Sequence, residues 1–80
     1  MGNVFQTSTT IEYSLSKPSR IQIVLFDIAG KQVALITNKN QQTGKYLYEV
    51  NSEKYGLKPG IYLLKLITED GYVSKSIVKF

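Results

Sequence analysis

Leu57-Lys58-Pro59-Gly60-Ile61-Tyr62-Leu63-Leu64-Lys65-Leu66 leads through Asp70-Gly71-Tyr72 to Ser74-Lys75-Ser76-Ile77-Val78-Lys79-Phe80. The Pro-Gly pair marks a turn, because proline presets its own φ and glycine accepts conformations that other residues avoid. Tyr62, Leu64 and Leu66 then fall two apart, the spacing at which side chains of an extended strand share a face. Asp-Gly between two alternating segments is the strongest short-range hairpin signal. The segment reads as a turn, a strand, a two-residue hairpin turn and a final strand. Lysines alternate with apolar residues along that last strand, which puts the carboxyl end at the edge or rim of a sheet, where a partner can read it.

The same alternation extends back along the chain. Ile11, Tyr13 and Leu15 are two apart, as are Ile21, Ile23 and Leu25, then Val33 and Leu35, then Tyr46, Tyr48 and Val50. No helix-length window places apolar residues at i, i+3, i+4 and i+7, so the chain reads as all-β. The spacing predicts strands over residues 8–15, 20–26, 31–37, 45–51, 61–68 and 72–79, with Val4 and Phe5 available for a seventh. Between them, Lys17-Pro18-Ser19 breaks the chain, and Asp27-Ile28-Ala29-Gly30 has the aspartate and glycine of a type I turn closing a bulged hairpin. Residues 38–44 read as a polar loop, and residues 51–60 as a longer crossover whose Leu57 plugs the core. Strands at this spacing predict an Ig-like β-sandwich of six to seven antiparallel strands. The second strand, with Val24 and Phe26 on its outer face, calls for a central or covered position. The facing of the last strand is left open: Lys75, Ile77 and Lys79 share one side, and Ser76, Val78 and Phe80 the other.

Composition sets the limits. Eighty residues make one domain, with a small core that must be efficient. Met1-Gly2 reads as an added start, and the whole as a C-terminal domain cut from a longer protein. The chain has no cysteine and no histidine, which excludes disulfides, thiolate or imidazole metal sites, and any Ser-His or Cys-His nucleophile. The six acidic residues fall in turns or on outer faces, and neither a calcium loop nor a phosphate-cradling loop is present. No cofactor is expected. Ten basic residues give a formal charge of +4, but the lysines are scattered and Arg20 is the one arginine. That pattern argues for a solvated cationic surface and against a nucleic-acid partner. No apolar run reaches the ~18–20 residues of a membrane helix, so direct membrane insertion is not expected either.

Tyrosines deserve a weighing of their own. Tyr13, Tyr46, Tyr48 and Tyr62 fall in register with isoleucine, leucine and valine, which favours core or core-rim positions with the hydroxyl at the edge. Tyr62 follows a turn at a strand start, as the tyrosine of a sandwich corner does. Tyr55 and Tyr72 are left as candidates for exposed contact.

Five blocks in order carry a resemblance: Thr9-Thr10-Ile11-Glu12-Tyr13-Ser14-Leu15; Phe26-Asp27-Ile28-Ala29-Gly30-Lys31-Gln32-Val33; Gly44-Lys45-Tyr46; Leu57-Lys58-Pro59-Gly60-Ile61-Tyr62; and Ser74-Lys75-Ser76-Ile77-Val78-Lys79. Together they resemble the type IX secretion system C-terminal sorting domain of type A, also called the Por secretion C-terminal domain. Asn3-Val4-Phe5 departs from the Asn-Pro-Phe with which that family often opens. The resemblance implies a non-enzymatic sorting signal fused to an N-terminal cargo, exported through the periplasm to the cell surface or beyond. It implies the secretion machinery and a surface sortase-like peptidase as partners. Recognition by the final strand maps here to Lys75, Ile77, Val78, Lys79 and Phe80. The alternative is an Ig-like accessory spacer or carbohydrate-binding module using Tyr55, Tyr72 and the loop at 38–44.

Overall fold

The computed structural model describes residues 3–80, and these form seven strands and no helix. In chain order they are β1 (Asn3–Phe5), β2 (Ser8–Leu15), β3 (Ser19–Asp27), β4 (Gln32–Gln41), β5 (Gly44–Asn51), β6 (Gly60–Thr68) and β7 (Gly71–Lys79). A five-stranded sheet in the order β1-β7-β6-β3-β4 packs against a two-stranded sheet of β2 and β5. The expected Ig-like all-β sandwich is therefore present, and Val4 and Phe5 do supply its seventh strand.

One pairing departs from the antiparallel expectation. β1 runs parallel to β7, with Asn3, Val4 and Phe5 opposite Ile77, Val78 and Lys79. Direction is set by how the chain crosses between sheets, and that crossing is pinned by a residue far away in sequence. The Ser52 amide donates to the Thr7 carbonyl at 2.9 Å, and its hydroxyl lies 3.0 Å from the Gln6 and Thr7 carbonyls. Gln6 and Thr7 thus carry the chain from one sheet to the other in place of a hairpin turn.

The core fills from both inner faces: Ile11, Leu15 and Val50 from the small sheet, and Ile21, Ile23, Leu25, Leu64, Leu66 and Ile77 from the large one. Leu57 closes it from the crossover, as expected. β3 lies between β6 and β4, which explains why Val24 is apolar and only 4% exposed on the sheet's outer face.

Turn chemistry is as read at Asp27. Its carboxylate accepts the Ala29 and Lys31 amides at 3.0 and 2.9 Å, and Gly30 closes the turn at φ +88°, a region costly for other residues. Two expectations need correction. Residues 38–41 continue β4 opposite Ser19 to Gln22, leaving Gln42 and Thr43 as the connection. These polar residues stay extended because β4 is an edge strand whose outer face is wet. In the last hairpin Thr68 pairs with Gly71, so the turn residues are Glu69 and Asp70, and Gly71 belongs to the strand.

The last strand as candidate recognition site

β7 pairs with β6 residue for residue from Thr68–Gly71 to Gly60–Lys79, without a bulge. That register settles its facing. Ile77 lies opposite Tyr62, and Lys75 opposite Leu64, so the side bearing Lys75, Ile77 and Lys79 faces the small sheet. The structure then divides the five candidate residues by environment. Ile77 is fully buried and acts as core. Val78 and Lys79 are half-buried where β1 covers them. Lys75 is exposed although it points inward, because a two-stranded sheet cannot cover the full width of a five-stranded one. Phe80 is 64% exposed, while its amide donates to the Phe5 carbonyl at 2.9 Å and the Lys79 ammonium donates to its carbonyl oxygen at 2.5 Å.

β7 is thus an edge strand in one half only. Residues 77–79 are covered by β1, whereas residues 71–76 are all exposed and, among the described residues, pair with β6 alone.

The family profile described as secretion system C-terminal sorting domain matches residues 4–79, from β1 to the end of β7. The chain belongs to this family. Neither a curated protein nor a solved structure matches it. A sorting domain of this family is a C-terminal signal for type IX secretion, which implies contact with that machinery and export across the outer membrane.

Around the last strand of this sorting domain the electrostatics are mild. Lys65, on the outer face, sits 5.3 Å from the Phe26 ring centre and 4.4 Å from that of Tyr72. The Lys17–Asp70 pair, 3.0 Å apart with both side chains more than half exposed, contributes little. Tyr55 is half-buried against the core and Tyr72 is 64% exposed, so the second of these candidates is the surface ring. Tyr13 stacks on Tyr46 with ring centres 5.3 Å apart. Burial, followed by the nearby Tyr46 and Tyr48 phenols, raises the Tyr13 pKa above its ordinary 10.0. Among the described residues no group of three or more Asp or Glu side chains is placed to hold a metal.

Two serines that support the site escaped the sequence reading. Ser52, 3% exposed, ties the crossover to the β1–β2 passage. Ser19, 7% exposed, accepts the Glu69 amide at 3.1 Å and so braces the turn that leads into β7. A serine in a polar stretch carries no mark of burial. Only its partners, about fifty residues away, give it one.

Proposed function

We propose that this domain is a non-enzymatic sorting signal, read in its folded form by the type IX machinery through its last strand, on behalf of a cargo joined N-terminally. The carrying observation is the family match over residues 4–79. The roles of the candidate residues divide along the burial just described. Lys75 and Phe80 present side chains to a partner, Ile77 locks the strand into the core, and Val78 and Lys79 hold the contact with β1. A surface sortase-like peptidase then removes the domain and joins the cargo to the cell surface.

The test is to fuse residues 3–80 to a periplasmic reporter in a host that has this system. Surface delivery supports the proposal, and retention of the folded fusion in the periplasm refutes it. Phe80→Ala and Lys75→Ala change exposed side chains and keep every ladder hydrogen bond, so each should weaken export while leaving melting nearly unchanged.

A second reading has one observation in its favour. The exposed Tyr72 ring, together with Phe26 and Lys65, offers a stacking surface of the kind sugar rings use. Glycan-array binding abolished by Tyr72→Ala would favour a carbohydrate-binding spacer.

A further inference from the structure

We infer that the outer face of the five-stranded sheet joins two copies of this chain into a twofold dimer, packed sheet against sheet with their strands antiparallel. Such a dimer uses a different surface from the chain end and does not depend on the sorting reading.

An antiparallel sheet with one face in the core usually turns polar residues to water on the other. Here the outer face carries a connected apolar band. Val4 on β1 lies beside Val78 on β7, and Val78 beside Ile61 on β6. Leu63, the next residue on that face of β6, lies beside Phe26 on β3. Val4, Ile61 and Leu63 are 56%, 51% and 39% exposed. Continuous apolar surface of this kind marks an interaction site.

A groove of about 410 Å³ in this face indicates the occupant. Phe26, Ile28, Ile61 and Leu63 form its apolar walls, and Lys65 and Asp27 also line it. The β3–β6 register separates the two charges along the strands. Lys65 is level with Val24 and Asp27 with Tyr62, a distance of about 10 Å along the strand. Among the described residues neither charge has an ion-pair partner. The groove therefore calls for an anion over Lys65, a cation over Asp27 and apolar side chains between them.

That requirement is the groove's own chemistry, reversed. A twofold axis running across the strands at Leu63 and Phe26 lays the Lys65 end of one copy over the Asp27 end of the other, and symmetry makes the contact twice. The apolar stem of Lys65 then covers Ile61 of the second copy, and the two Lys65 ammonium groups stay at opposite ends. The size also fits. Strands of nine residues are ~30 Å long and four neighbouring strands ~20 Å wide, so two such faces bury about 1,200 Å² together, the lower end of the specific range. Association is therefore expected to be reversible and of micromolar strength.

The test is sedimentation equilibrium of the 80-residue chain from low micromolar to sub-millimolar concentration, with three variants. Leu63→Asp puts charge at the axis. Lys65→Glu sets a carboxylate against Asp27 of the second copy. Leu47→Asp is the control, because Leu47 is 71% exposed but lies on the small sheet. The parent should dimerise, and its melting point should rise with concentration. Leu63→Asp and Lys65→Glu should dimerise at least tenfold more weakly while still folding, and Leu47→Asp should match the parent.

A parent that stays monomeric throughout overturns the dimer. So does equal weakening by Leu47→Asp, which would mean association without a defined face, or full dimerisation of folded Lys65→Glu. If Leu63→Asp unfolds the chain, Lys65→Glu decides alone.

Discussion

Tyr62 gives the clearest separation of a hydrogen bond from a packing contribution. Its ring is 8% exposed in the core, and its hydroxyl donates to the Lys58 carbonyl, four residues upstream, at 2.6 Å. Tyr62→Phe keeps the ring and loses only this bond. Lys58 is exposed, so water can take over its carbonyl, and the cost should be about 1 kcal/mol, the net value of an ordinary hydrogen bond. For a chain of this size that lowers the melting point by about 4–8 °C. Tyr62→Ala removes the ring as well and should cost about 3–5 kcal/mol. An 80-residue domain has a total stability of about 4–12 kcal/mol, so the alanine variant should be partly or fully unfolded at 37 °C. Thermal and urea unfolding followed by circular dichroism measure both variants. If Tyr62→Phe matched the parent, the corner bond would carry no weight. If it were as damaging as Tyr62→Ala, the division between bond and ring would be wrong.

Asp27→Ala removes the acceptor of two backbone amides and should cost about 1–2 kcal/mol in urea unfolding, whereas Asp27→Asn, which retains an acceptor oxygen, should cost less. Gly30→Ala meets no atom within 4 Å, so its loss of about 1–2 kcal/mol comes from the positive φ alone and should vanish if the turn relaxes in a crystal structure of the variant. Ser52→Ala unties β5's end from the β1–β2 passage and should speed hydrogen exchange in β1 before it does so in β3. For Tyr13 the sign follows from a raised folded pKa: its contribution is complete below pH 10.0 and is lost as pH climbs through the higher folded value. Tyr13→Phe should therefore flatten the alkaline end of the stability-versus-pH curve.

Much of this architecture was legible because strands write themselves locally. Ile21, Ile23 and Leu25 alternate in sequence and are all fully buried, since a pleated strand sends every second side chain to one face. The Asp27–Gly30 turn was equally readable, because its hydrogen bonds close within five residues. The strand beginning at Gln32 was underestimated at its far end, where Asn38, Lys39 and Asn40 look like a loop and are held extended by pairing with β3.

By itself the sequence determined the all-β class, the near positions of six strands, the core-facing tyrosines and the family blocks that the match over residues 4–79 bears out. Tertiary structure alone decided that β1 lies parallel beside β7, that Ile77 is core while Phe80 is surface, and that residues 71–76 are exposed. The physical reason is range. Periodicity and turn residues act over a few positions, whereas the direction and cover of the last strand depend on Phe5, Ser52 and Tyr62, which only the folded chain brings beside it.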